Sequence, residues 1–337
     1  RCHGQTGRQN RELHLVAMSE LRHFAVTPDH AAQRLDQFLA DSLPELTRSQ
    51  VKRLIDRGSV TVGGRPVKAG HKLRGDEELQ VTLDQPAEVS TEAQDIPLRM
   101  LSEAASLVVI DKPAGMVVHP APGHHSGTLV NALLHHCNDL SGVGGELRPG
   151  IVHRLDKGTS GVMVATKTDQ AHNLLARQFK AHTIQRRYRA LVHGRVQRDE
   201  GTIDQPIGRH PVQRQKMSSQ SRYGRRAVTH WKVLRRYERE RLTLLDLALE
   251  TGRTHQIRVH FAEMSLPLVG DPLYGNPKKD KAVGDCETRQ LIEGLDRQFL
   301  HAWLLGFSHP DGRQLAFCSP LAKDLQAVID HLEALYG

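Results

Sequence analysis

The chain has 337 residues, 38% hydrophobic and 25% charged, which is enough for two domains or one large one with a folded core. Its net charge is +8 and its pI about 9.5, a balance that suits a polyanionic partner but does not require one. Four cysteines with no CxxC pair exclude a zinc knuckle or redox dithiol, 21 histidines outside metal-ligand spacing argue against a metal site, and no apolar run approaches the roughly 18 residues of a membrane span.

So sparse a set of cysteines in a long chain fits a reducing cytoplasm. The first 17 residues are polar and lack the apolar core of a secretory signal. Met18 reads as a natural start, and residues 1–20 are expected to form a disordered extension.

Residues 21–84 read as a small basic module. Leu35, Phe38 and Leu39 fall at helical spacing. Thr47 is the expected N-cap of a second helix, Arg48 to Arg57, with Val51, Leu54 and Ile55 on one face. Arg48 and Lys52 are four apart, as are Arg53 and Arg57, so the other face is basic. A strand at Val60-Thr61-Val62, a Gly63-Gly64 turn and an alternating strand from Glu78 to Leu83 complete the module. Between Ala32 and Gly75 nine Lys or Arg stand against four Asp or Glu, an excess of +5 out of the net +8. A solvated helix face is the ordinary explanation of such a run. Its concentration in one small unit favours contacts with phosphates through Arg48, Lys52, Arg53 and Arg57. The unit resembles the S4-like (alpha-L) RNA-binding module. Residues 85–97 are acidic, lack bases and hold Pro86 and Pro97, as expected of a linker.

From residue 98 to 337 short strands dominate. They are expected at 107–110, 162–165, 187–192, 227–234, 242–250, 299–307 and 314–318, with helices over 128–137, from an Asp169 cap to about His182, and 321–335. Mixed strands with few helices indicate an α+β domain on a mainly antiparallel sheet. Between the turn Pro149-Gly150 and the apolar run Val162-Met163-Val164-Ala165 lies His153-Arg154-Leu155-Asp156-Lys157-Gly158-Thr159-Ser160-Gly161. A single carboxylate, Asp156, thus sits on a tight loop held by a buried strand, where catalytic groups tend to be placed.

The Asp156 loop, the Arg187-Tyr188-Arg189-Ala190-Leu191-Val192 strand, the segment Thr251-Gly252-Arg253-Thr254-His255-Gln256-Ile257-Arg258-Val259-His260 and Leu300-His301-Ala302 together resemble the bacterial ribosomal large-subunit pseudouridine synthases. The similarity is to the branch with an N-terminal S4-like module, and over residues 204–230 it is nearest to the D type. It runs from about residue 20 to 330. It implies an isomerase that detaches uracil from its ribose, turns it and rejoins it through C5. Asp156 would begin the reaction, by attacking C1′ or by taking a proton from C2′. A nearby cation keeps a carboxylate charged. Arg258 matches the basic partner, one turn into a helix expected to start near Thr254, with Arg253 as second candidate. Arg154 matches the residue that fills the place of an everted base, and Tyr188 the tyrosine that stacks on that base. Ile257 would wall the pocket, and His153 would shape the loop, a general-base role being the lesser alternative. Gly158 departs from the usual aspartate and puts loop rigidity in question.

The same resemblance implies no metal, nucleotide or redox cofactor, and no Walker loop or dinucleotide fingerprint is present. The implied partner is 23S rRNA or a large-subunit precursor, with the helix 69 stem-loop as target, acted on by a monomer. The competing readings are the same chemistry on transfer RNA or another ribosomal site, and a non-catalytic RNA-binding assembly factor. A glycosidase-like pair of carboxylates finds no second acid within the motif.

Overall fold

The computed structural model describes residues 19–43, 48–84, 92–121, 123–137, 139–144, 148–213 and 215–337. The chain divides into two compact units, Arg1–Glu88 and Val89–Gly337. No helix among the described residues is long and apolar enough to cross a membrane.

The first unit holds β1 (Ser19–Ala25), α1 (Leu35–Ser42), α2 (Arg48–Asp56), β2 (Val60–Val62), β3 (Arg65–Pro66) and β4 (Glu78–Asp84). Its antiparallel sheet runs β1-β4-β2-β3. Leu35, Phe38 and Leu39 of α1 and Val51, Leu54 and Ile55 of α2 bury their apolar stripes against Val60, Leu79 and Val81 of the sheet. Strand β1 corrects the expected disordered extension at its C-terminal edge. Ser19 and Glu20 pair with Asp84 and Leu83, because β4 otherwise leaves one edge of its ladder open. The expected cap Thr47 and the rest of the extension lie outside the described residues.

The second unit comprises β5 (Arg99–Glu103), β6 (Leu107–Lys112), α3 (Leu129–His136), β7 (Ser160–Thr166), α4 (Asp169–Ala181), β8 (Gln185–His193), β9 (Glu200–Asp204), β10 (Gly208–Arg209), β11 (Met217–Ser218), β12 (Val228–Tyr237), β13 (Leu242–Leu249), α5 (Gln256–Glu263), α6 (Pro277–Lys281), α7 (Cys286–Glu293), β14 (Leu300–Ser308), β15 (Gln314–Cys318) and α8 (Lys323–Tyr336). The large sheet runs β5-β6-β7-β14-β8-β13-β12-β9, with β15 on β14. Among the described residues β7 and β14 form its single parallel pairing, so the sheet is mixed and mainly antiparallel. Every residue of β7 is buried. Met163 and Ala165 face a core shared with Leu129, Leu133 and Tyr188, while Val162 and Val164 face Leu175 and Phe179 of α4. A strand covered on both faces has to be apolar throughout, as this one is.

Three local expectations need correction. The cap of α4 is Thr168, whose hydroxyl accepts the Ala171 N–H at 3.3 Å; Asp169 is the first helical residue and accepts a hydrogen bond from Ser141. The helix bearing Arg258 begins at Gln256 rather than near Thr254. Residues 92–97 do not hang free as a linker. The buried Asn131 amide donates to Glu92 O at 2.9 Å, Gln94 N donates to Asn131 O at 2.9 Å, and Gln94 Oε1 accepts the Gly127 N–H at 2.8 Å. A buried amide needs partners, and this segment supplies them. Residues 85–91 lie outside the described residues.

Candidate active site

Asp156 stands at the head of a turn closed by Thr159 N–H donating to Asp156 O at 3.0 Å. The turn is held from three sides. Fully buried Lys112 donates to Pro113 O, Met116 O and Lys157 O at 2.7, 2.9 and 3.4 Å. Arg297 donates to Gly158 O at 3.1 Å and is itself fixed by both carboxylate oxygens of Asp324 on α8. Gln298 donates to Thr159 Oγ1 at 2.9 Å. A Cβ on Gly158 would lie 2.6 Å from Gln298 Oε1. Glycine there makes room for Gln298, and the departure from aspartate leaves the loop clamped rather than slack. Just beyond, Gly161 has φ of +118° and a Cβ would lie 2.1 Å from Ala302 O, so only glycine permits β7 and β14 to meet.

The guanidinium of Arg258 faces the turn. NH1 donates to Asp156 Oδ2 at 3.2 Å. Its other edge forks onto Asp271, Nε to Oδ2 at 2.7 Å and NH2 to Oδ1 at 2.8 Å. Asp271 Oδ1 also accepts the N–H groups of Leu273 and Tyr274, at 2.9 and 3.0 Å. Burial works against the charge on both partners. The hydrogen bonds and attraction outweigh it, so the pKa of Asp271 lies below the usual carboxylate range and that of Arg258 is raised. The Tyr274 ring lies 5.0 Å from the guanidinium carbon. Its hydroxyl accepts the Met217 N–H at 2.8 Å and contacts His255 Nδ1 at 2.8 Å. With that hydroxyl donating to Nδ1, His255 keeps its proton on Nε2, 3.9 Å from Asp156 Oδ2. Burial, the largest influence on His255, pushes its pKa down and favours this neutral form.

Helix α5 is oriented by Gln256. Its amide donates to Val228 O and Thr229 Oγ1 and accepts from Thr251 Oγ1 and Arg253 N, at 2.8 to 3.0 Å. Every polar position of this buried side chain is used, so the helix is pinned to β12 and Arg258 is aimed. Arg253 donates to Arg226 O rather than to Asp156, so Arg258 is the partner.

Asp156, Arg154, Tyr188, Ile257 and Leu300 line one pocket of about 550 Å³. Tyr188, 8% exposed, is packed with Leu155 and Ile257, and burial pushes its pKa up to about 12. Its ring is therefore an uncharged wall. Arg154 is exposed at the rim. His153 stacks on Phe179 at 4.8 Å, and its Nε2 accepts the Val164 N–H at 3.1 Å. Burial lowers its pKa to about 3, so its lone pair is committed to the strand and unavailable as a base.

A carboxylate, a guanidinium, an aromatic wall and an apolar floor suit a flat polar ring and its sugar. The RNA pseudouridylate synthase family model matches residues 106–263, and the S4 domain model matches residues 33–79. An RNA pseudouridine synthase of Bacillus subtilis (strain 168) is 44% identical over 305 residues, covering 90% of this chain and 95% of its own. The chain belongs to the RNA pseudouridine synthase family. It is thus an isomerase acting on uridine in RNA, with an S4 domain. The ribosomal large subunit pseudouridine synthase D of Nitrosomonas europaea is 44% identical to this synthase, with 91% of this chain and 87% of the relative covered. The human RNA pseudouridylate synthase domain containing 4 has the same fold, at a TM-score of 0.52 and 24% identity over 70% of this chain and 93% of that one.

In this synthase three site residues escape the sequence reading: Asp271, Tyr274 and His255. The first two share the segment Gly270-Asp271-Pro272-Leu273-Tyr274-Gly275, whose turn residues around one acid were the available signal. Among the described residues no group of His, Cys, Asp or Glu is arranged to hold a metal. In the S4 domain, Lys52 and Arg53 are exposed on α2 and Arg57 is exposed in the turn just after it. Arg48 is tied to Asp36, which also binds Arg34, and the Arg34 hydrogen bond is the main reason the Asp36 pKa is lowered.

Proposed function

We propose that this synthase converts specific uridines of 23S rRNA, in the helix 69 stem-loop, to pseudouridine, with Asp156 as the catalytic residue. The observation that carries the reading is the placing of Asp156 in one pocket with Tyr188, held by a single N–H of an arginine that Asp271 otherwise occupies.

A stacked base must leave its helix, at a cost of a few kcal/mol. Arg154 at the rim fills the vacated place. Tyr188 stacks on the everted uracil, worth about 1–3 kcal/mol, and Ile257 closes the pocket beneath it. Asp156 then acts at the ribose, on C1′ as nucleophile or on C2′ as base. Either way the N1–C1′ bond breaks, the base turns between Tyr188 and Ile257, C5 joins C1′, and the C5 proton is lost as N1 gains one. Arg258 holds the carboxylate in place throughout. No atom is gained or lost overall.

The S4 domain supplies phosphate contacts through Lys52, Arg53 and Arg57, with Arg48 ordered by Asp36. The relatives named as large-subunit synthases support ribosomal RNA as substrate. The test is pseudouridine mapping of ribosomal and transfer RNA from cells lacking the gene, complemented by the parent or by Asp156→Ala. Loss of pseudouridine in helix 69, restored by the parent alone, is the expected result. Loss confined to transfer RNA would overturn the substrate, and restoration by Asp156→Ala would overturn the site.

A further inference from the structure

Arg186 lies two residues before Tyr188 on β8 and is 9% exposed. NH2 donates to Leu249 O and Glu250 O at 3.3 and 2.6 Å, at the end of β13. The guanidinium carbon lies 5.7 Å from the centre of the Phe179 ring, the ring on which His153 stacks. Nε is sealed from water without a hydrogen-bond partner, and no carboxylate lies within ion-pair distance among the described residues. Arg258 and Arg297, by contrast, each have a carboxylate gripped by two bonds.

NH1 makes no hydrogen bond to the described residues and lies against Gly252. A Cβ at Gly252 would sit 2.7 Å from it. Gly252 is therefore glycine to keep that face of the guanidinium open, since its backbone is not left-handed. Arg253 follows, its Nε held by Arg226 O at 3.1 Å and likewise without a carboxylate. Both arginines line the pocket that holds Asp156. Burying a cation without its counter-ion costs several kcal/mol. Here two adjacent cations share one wall, and a bound anion would supply the missing charge. A uracil edge is neutral; a phosphodiester carries the charge and accepts from both guanidinium groups.

We propose that Arg186 and Arg253, across the gap at Gly252, bind one phosphodiester of the RNA beside the nucleotide that enters the pocket. The site would fix the register of the strand relative to Asp156. It rests on the reading of this pocket as the uridine site.

The test uses the full-length synthase and a helix 69 stem-loop RNA bearing one uncharged methylphosphonate linkage, placed on either side of the target uridine in turn. Binding is read by fluorescence anisotropy and turnover by tritium release. The parent is expected to lose about 10- to 100-fold in affinity at one linkage and not the other, with kcat retained at saturating RNA. Arg186→Gln should lose affinity for the ordinary RNA by a similar factor and become indifferent to that linkage. Gly252→Ala, which spares the bonds to Leu249 and Glu250, should behave the same way more mildly. Equal binding of both methylphosphonate RNAs by the parent overturns the phosphate site, as does full sensitivity in the two variants. A parent that shows the linkage penalty but forms no pseudouridine in this RNA overturns the proposed substrate and leaves the phosphate site standing.

Discussion

Asp271 holds both the Nε and the NH2 of Arg258, and Asp156 receives only NH1. One arginine is shared unequally between a structural acid and the acid proposed to react. The buried acid fixes the guanidinium, and the remaining N–H positions the carboxylate in the pocket.

Asp271→Ala should therefore damage both stability and turnover. It leaves a buried guanidinium short of its main counter-ion, at a cost of about 3–5 kcal/mol. Asp271→Asn should be milder in stability and should lower kcat more than it raises KM. Denaturant midpoints and steady-state kinetics check this, and unchanged kcat in both variants would refute it. The lowered pKa of Asp271 makes its contribution complete above about pH 4 and lost as the pH falls further.

Lys112 gives a second test. Burial lowers its pKa to about 7, so from about pH 7 to 10 the unfolded chain binds the extra proton. The stability contributed by this residue then rises with pH, by about 1.4 kcal/mol per unit. The stability difference between parent and Lys112→Met should widen in favour of the parent from pH 7 to pH 9. A constant difference in urea denaturation would count against it.

Tyr188→Phe should keep the ring and most activity, whereas Tyr188→Ala should lose the stacking, about 1–3 kcal/mol in kcat/KM. With the phenol raised to about 12, its share of stability is intact below pH 10 and declines from pH 10 to 12. Difference absorbance at 295 nm should find one late-titrating tyrosine fewer in Tyr188→Phe than in the parent, the buried phenol of Tyr237 staying raised in both.

Gly158→Asp restores the residue usual in the family but collides with Gln298. It should destabilise by about 1–3 kcal/mol. Gln298→Ala should recover part of that loss, giving a non-additive double-mutant cycle. Strict additivity in thermal denaturation would show that the two side chains do not compete for space.

Lys52→Glu with Arg53→Glu should raise KM without lowering kcat and should flatten the salt dependence of binding. An affinity that is unmoved across a salt series would remove the S4 helix from the RNA contact.

The strand and helix pattern was readable because the apolar periods of α1, α2, β7 and β8 are clean, and the Asp156 and Arg258 motifs are compact in sequence. Asp271 was not, since one acid in a turn reads as an ordinary surface residue until the fold brings it under Arg258. Strand β1 was hidden because Ser19–Ala25 has little apolar alternation and exists as a ladder edge for β4. Residues 92–97 carry a linker's composition, and only the buried Asn131 amide reveals why they are anchored. Gly158 and Gln298 are 140 residues apart, so their exchange of space has no local signature.

The parallel seam between β7 and β14 has a temporal consequence. Strand β14 lies between β7 and β8 in the sheet yet follows β8 in the chain by more than a hundred residues. During synthesis at about 5–20 residues per second, the two halves of the catalytic sheet must wait on the order of ten seconds for the strand that joins them. Until Ser308 has emerged, the pocket beside Asp156 lacks its floor at Leu300, and the nascent chain cannot complete it.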